Sequence, residues 1–315
     1  MDDGAMTSAA VGPPGALARV LPRIGGAEVV ERLSALSGSD FTTVMLEVAR
    51  RRAARETPAS VLRRYGSDRF VRPGTLSCRS LRRAEDALLR CLPPDVELVT
   101  LAPLVPLATH SALGTVSQHK VVTAMRAGEV AADPTNALAL EAAARRVQDR
   151  DATVRLAATQ RVVRAQQFSG PGSFAHFSLF GLVTAGRDRG SQTFERQALA
   201  EQVTAAAHGL AAAGLAGIQL ALTPLSAAGE RLAAAVTQDL SAVPIEIVED
   251  HGRQAGRGYY RDLCFKLNAR TGGGVDEVGD GGFTDWTMRL TASGKERLLI
   301  SGVGIGRVAI LAGPP

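Results

Sequence analysis

A chain of 315 residues, 45% hydrophobic and 21% charged, is long enough for one large domain or two modest ones and can build a real core. Its net charge of +5 permits contact with RNA or another polyanion, but the arginines are scattered and nothing in their pattern supports such a partner. Cys78, Cys91 and Cys264 are few, unevenly spaced and without a CxxC pair, which argues against a metal site or a disulfide framework and fits a cytoplasmic setting; no stretch suits a membrane span or a signal peptide.

Residues 1–16, rich in Gly, Ala, Ser and Pro, read as a disordered tail, and 17–315 as a single domain. Apolar residues at three- and four-residue spacing in "GGAEVVERLSALSGSDFTTVMLEVARRRAARE" predict one or two amphipathic helices. "YGSDRFVRPGTLS" reads as a loop, and "SLRRAEDALLRCLP" as a helix capped by Ser80 and stopped by Pro93 and Pro94. "VELVTLAPLVPL" has strand composition broken by Pro103 and Pro106, and "EVAADPTNALALEAAARRVQ" is a turn followed by a helix. "TVRLAATQRVVRAQQF" and "FAHFSLFGLVTAG", joined by "SGPGS", predict an antiparallel hairpin. A long helix ("TFERQALAEQVTAAAHGLAAAGL"), a short strand ("IQLALTPL") and another helix ("GERLAAAVTQDL") follow. Three late strands close the chain: "YYRDLCFKLNA", "GGFTDWTMRL" and "ERLLISGVGI". The fold class is α/β (α+β), an antiparallel sheet flanked by helices.

The hairpin carries the first candidate site. Arg164 and Gln166 lie two apart and share a strand face; His176 and Phe180, four apart, share a face of the returning strand. A guanidinium and an imidazole facing each other there can grip a phosphate, with the aromatic ring stacking on a base. The alternative is a solvated arginine with His176 and Phe180 turned to the apolar side. A second feature is "SGVGIGR": alternate glycines bare one strand face, so a flat ligand can approach the backbone at Gly302 and Gly304. Only nine residues follow Gly306, too few for the helix and strand that a dinucleotide loop opens.

Arg164-x-Gln166, a loop, then His176-x-x-x-Phe180 resembles motif 2 of the class II aminoacyl-tRNA synthetases, and "SGVGIGRVAI" resembles their motif 3. "LRRAEDALLRCLPPDVELVTLAPLVP" is similar to motif 1, a dimer-interface segment. "GRGYYRDLCFKL" and "DGGFTDWT" resemble segments of the histidyl branch, which includes a regulatory paralogue in histidine biosynthesis. The resemblance implies a homodimer in which Arg164 holds the ATP α-phosphate, His176 and Arg307 hold the outer phosphates, and Phe180 lies against adenine, with Mg2+ entering only together with ATP. It also implies a substrate pocket of Thr135, Asn136, Tyr259, Tyr260 and Asp285, and a catalytic Arg257 near the substrate carboxylate. Several positions depart from the pattern. Gln166 replaces a glutamate, Gly306 and Asp133 stand where the family has an acid and an arginine, and "RGYY" is two residues short. With no anticodon-binding domain after Arg307, ordinary tRNA charging is not expected. Two readings stay open: a stand-alone enzyme that activates an amino acid or related carboxylate as its adenylate for another acceptor or carrier protein, or a catalytically inactive ligand-binding regulator acting with a partner enzyme.

Overall fold

The computed structural model describes residues 14–166 and 175–313. The expected tail over 1–16 is corrected at its end, because helix α1 (Pro14–Val20) already begins at Pro14; residues 1–13 lie outside the described residues, as does the whole expected hairpin turn at 169–173. Three further helices follow, α2 (Ala27–Ser34), α3 (Gly38–Ala53) and α4 (Pro58–Ser67), and none of them contains a buried residue. Helix α5 (Cys78–Arg90) starts two residues before the expected cap: Ser77 precedes it, and Ser80 is buried within its first turn.

The prolines that interrupt the next apolar run leave two short strands, β1 (Glu97–Leu98) and β2 (Leu104–Pro106). Helix α6 (Thr109–Gly114), β3 (Thr123–Ala124), β4 (Gly128–Val130) and α7 (Pro134–Gln148) lead to the hairpin of β5 (Val154–Val163) and β6 (His176–Arg187). Beyond it come α8 (Thr193–Ala212), β7 (Ala216–Pro224), α9 (Ala227–Asp239), β8 (Glu246–Glu249), β9 (Tyr260–Thr271) and β10 (Gly274–Thr284). The strand expected over 281–290 ends at Thr284, and α10 (Trp286–Thr291) follows; β11 (Glu296–Gly304) and α11 (Ile305–Leu311) complete the chain. Strand alternation stops there because Trp286 turns inward to pack beside Tyr259, their ring centroids 5.9 Å apart.

Eight strands form one sheet in the order β1-β5-β6-β11-β10-β9-β7-β8, antiparallel except at its two edge pairs; β2, β4 and β3 form a small second sheet. This is the mixed α/β architecture expected, a large, mostly antiparallel sheet flanked by helices. Because side chains alternate between faces, each strand feeds two cores. Ala157, Phe180, Leu182, Phe265, Leu299 and Val303 pack against α5, α8, α9 and α11. Leu156, Ala158, Val183, Ala185, Leu298 and Ile300 pack against α6, α7 and α10. Helix α7 lies close on this second face because Gly181 has no side chain; a Cβ there would come 2.9 Å from Pro134 Cγ. That close approach fixes where the helix begins, and the candidate cleft is built around that point. Among the described residues no helix is long and apolar enough to cross a membrane.

Candidate functional site

The first turn of α7 opens on Asp133. Its Oδ1 accepts hydrogen bonds from the Thr135 N–H (2.9 Å) and hydroxyl (2.7 Å), capping the helix. Its Oδ2 accepts from Arg164 Nη2 at 3.1 Å, while Arg164 Nε donates to the Ala132 carbonyl at 3.0 Å. One carboxylate therefore ends a helix and aims a guanidinium. Arg164 also stands 5.1 Å from the Phe177 ring centroid, within cation–π range.

The hairpin register corrects two expectations. Arg164 N bonds to the Ala175 carbonyl, and His176 pairs with Val163, so His176 does not face Arg164. Instead His176 contacts the Arg161 side chain and the Arg72 carbonyl, at the rim of the cleft. Phe180 is 3% exposed and belongs to the core under α5 and α8, so it cannot lie against a ligand from this cleft. Phe177 is the aromatic residue presented beside Arg164. A shift of one residue in strand parity exchanges the two faces.

Two chambers open around Arg164. The inner one, about 400 Å³, is lined by Thr135, Asn136, Gln166, Tyr259 and Tyr260, together with His110, Lys120 and Trp286, which the sequence did not single out. The outer one, about 650 Å³, is lined by His176, Phe177, Gly302, Gly304, Gly306 and Arg307. Asp133, Arg164, Asp280 and Gly302 border both. At Gly302 and Gly304 a Cβ would meet nothing nearer than 3.6 Å, so protein packing does not require these glycines, and the bare strand is open to the cleft. Gly306 is different: a Cβ would come 3.2 Å from Leu76 Cδ1, which disfavours a larger residue before Arg307. Arg307 sits in the first turn of α11 and donates to the Glu277 carbonyl at 2.6 Å.

Two other expected residues lie elsewhere. Asp285 pairs with Arg261 at 2.6 Å and Arg289 at 3.7 Å and lines a separate cavity. Arg257 is exposed and borders neither chamber. The buried arginine of that segment is Arg253, which donates to Asp280 (2.9 Å) and to the Phe265 and Ala255 carbonyls (2.8 Å each), and lies 5.3 Å from the Tyr260 ring centroid. Asp280 faces Gly302 across the sheet and also accepts from the Tyr260 hydroxyl at 3.1 Å. Its only sequence signal is an acid set among the alternating glycines of "VGDGG".

Electrostatically the inner chamber is mixed, with Asp133 and Asp280 against Arg164 and Lys120. Withdrawal from bulk water pushes the Asp280 carboxyl above the usual carboxylate range, with Arg253 opposing. Burial, reinforced by Asp280, raises the Tyr259 and Tyr260 phenols, so both stay neutral hydrogen-bonding groups at physiological pH. No cluster of three or more His, Cys, Asp or Glu side chains suited to a metal occurs among the described residues. Asp280 is occupied by Arg253 and Tyr260, and Glu277 lies 3.5 Å from Lys266, so these side chains alone do not fit a magnesium site.

No protein-family model matches the chain, and no curated protein matches it in sequence. Solved structures do match in fold. An ATP phosphoribosyltransferase regulatory subunit/histidyl-tRNA synthetase from Bacillus halodurans aligns with a TM-score of 0.60 at 14% identity, over 78% of this chain and 82% of that one. The apo histidyl-tRNA synthetase of S. aureus aligns at 0.57 and 16% identity, over 74% and 64%. A histidine–tRNA ligase subunit from Alicyclobacillus acidocaldarius gives 0.54 and 14%, over 76% and 96%. The chain has a class II aminoacyl-tRNA synthetase-like fold.

Proposed function

We propose that this chain activates an amino acid with ATP, holding the amino acid in the inner chamber and the triphosphate in the outer one. The observation that carries the reading is the shared wall: the chambers meet at Arg164, so ligands in both would bring a carboxylate and a phosphate to one guanidinium. In the reaction a carboxylate oxygen bonds to the α-phosphorus and the bond from that phosphorus to the bridging oxygen breaks, releasing pyrophosphate. Charge builds at phosphorus, where a preoriented cation lowers the barrier most. Arg164 is preoriented by Asp133 and Ala132; Arg307 serves the outer phosphates; Asp133 and Asp280 suit the substrate ammonium. Magnesium would accompany the nucleotide, bound mainly by its phosphates, and no step is assigned to it. The homodimer, and an acceptor other than a conventionally recognised tRNA, belong to the same proposal.

Pyrophosphate exchange across a panel of amino acids tests it. Exchange is expected with at least one substrate, falling by about 100-fold or more in Arg164→Ala. ATP affinity is expected to drop in Arg307→Ala; silence with every substrate would defeat the reading. A second reading, a ligand-sensing regulator with a partner enzyme, is favoured by one observation: Arg164 is already tied to Asp133. It expects ligand-induced thermal stabilisation and a co-purifying partner without exchange.

A further inference from the structure

The floor of the inner chamber is built around His110, which is 1% exposed. The Ala132 N–H donates to His110 Nε2 at 3.0 Å, so the ring proton resides on Nδ1. Nδ1 then donates to Asn136 Oδ1 at 2.8 Å, which orients the amide and leaves its NH₂ group turned away from the histidine. Behind them Glu129, fully buried, accepts from the backbone N–H groups of His110 (2.9 Å) and Ala108 (3.2 Å) and from Gln118 Nε2 (2.8 Å). It lies 4.0 Å from His110 Nε2, but that nitrogen already accepts from the Ala132 N–H, so Glu129 is held by backbone and amide donors and not by the imidazole.

Two donors are left over. Asn136 Nδ2 and Trp286 Nε1 are buried and have no partner among the described residues, although both residues line the chamber. Asn136 is 4% and Trp286 2% exposed. The spot beside Gly114 lies against the Asn136 donor and the Trp286 ring: a Cβ built there would be 3.8 Å from Asn136 Nδ2 and 3.9 Å from Trp286 Cζ2. Buried donors without acceptors are costly enough to be rare in native proteins. An acceptor lodged beside Gly114 would satisfy Asn136 Nδ2, with the Trp286 indole next to it. These donors are uncharged N–H groups: they bring no cation to neutralise a carboxylate and can accept nothing from an ammonium, so they suit a neutral acceptor.

We infer that Asn136 and Trp286 form a selectivity floor for an amino acid whose side chain ends in a neutral carbonyl-type acceptor, a carboxamide being the simplest case. This rests on the inner chamber being the ligand chamber, but not on adenylation. The fixed His110 tautomer positions the Asn136 amide, and the tilted Tyr259 and Trp286 rings offer apolar walls for a planar group. The amine end is assigned to Asp133 and Asp280, which border the chamber.

Calorimetric titration of the full chain without ATP, using glutamine, asparagine, glutamate, aspartate, methionine, leucine, histidine and lysine, tests the floor directly. A carboxamide amino acid is expected to bind at least about tenfold more tightly than its acid counterpart and its apolar isostere. In Asn136→Ala that preference is expected to collapse. Gly114→Ala supplies the second variant: its methyl makes only ordinary contacts, with a nearest approach of 3.6 Å to Val116 Cγ2, so the fold is retained while the floor is filled. It is expected to weaken carboxamide binding by about tenfold or more, with an unchanged unfolding midpoint. Equal binding of methionine or glutamate, a preference for histidine or lysine, no binding by any of the eight, or full preference in both variants would overturn the inference. Carboxamide-selective binding without pyrophosphate exchange would uphold the floor and count against the adenylating enzyme alone.

Discussion

Arg253 and Asp280 show how a single ion pair can join stability to the cleft. The Arg253 side chain is 2% exposed, whereas Asp280 keeps 40% of its side chain open to the chamber. Removing one partner of a fully buried pair costs about 3–5 kcal/mol; screening at Asp280 lowers the expectation for Arg253→Met to about 2 kcal/mol at pH 7.5. The sign with pH follows from the raised carboxyl. A folded state that binds the Asp280 proton more readily than the unfolded chain is favoured by this group below the ordinary carboxylate range. It loses that contribution as pH rises through the raised folded value. Without Arg253 the folded value rises further, so the variant should recover part of its loss at pH 5. Urea unfolding at the two pH values measures this, and an equal loss at both would show that Arg253 matters only through packing. Residues of this kind were hard to read in advance. "HGRQAGRGYY" offers two arginines, and the family resemblance points to Arg257; only the loop geometry turns Arg253 under Tyr260. Phe177 and Phe180 pose the same difficulty, since both are strand aromatics and parity alone decides which faces the cleft.

Among the elements, the long periodic ones were legible and the short ones were not. Helices α7, α8 and α9 and strands β5, β6, β7, β9 and β11 follow their hydrophobic patterns, because each buries a continuous stripe or alternates between the two cores. Helices α10 and α11 each span under two full turns, too short for a stripe to declare itself, and β8 is a four-residue edge strand. How elements meet is harder still to read. Helix α9 begins against β9 where Asp262 takes a positive φ of 54°, and a Cβ on Gly229 would lie 1.8 Å from the Asp262 carbonyl oxygen. Backbone cannot yield as a flexible side chain would, so Gly229→Ala must push the helix off the sheet. We expect a loss of about 3 kcal/mol, seen as a lowered urea midpoint. Gly66→Ala on α4, with nothing within 4 Å, should leave the global midpoint where it is. A Gly229→Ala protein as stable as the parent would mean that α9 is not seated against β9 as described.

Across the whole molecule, the helices before residue 68 stand apart in how they are held. Amphipathic periodicity marks α2 and α3, yet among the described residues α2, α3 and α4 bury nothing, and Val30, Val48, Val61, Leu62 and Tyr65 are exposed. Periodicity reports that a stripe exists; it does not report what covers it. The sheet, by contrast, is closed on both faces by α5 through α11, whose buried side chains form the two cores. Stability should therefore reside after residue 68, since hydrophobic burial is the dominant favourable term. Removing residues 1–66 is expected to shift the calorimetric unfolding midpoint by less than about 3 °C, because an element without buried side chains contributes little to the cooperative unit. The far-ultraviolet helical signal should fall by the share of α1 to α4, while amino-acid binding in the inner chamber persists, since every lining residue of that chamber lies beyond residue 109. A fall of ten degrees or more, about a few kcal/mol for a domain of this size, would mean that these helices brace the sheet. Cooperative protection of their amides in hydrogen exchange would then accompany it, at the same free energy as the core.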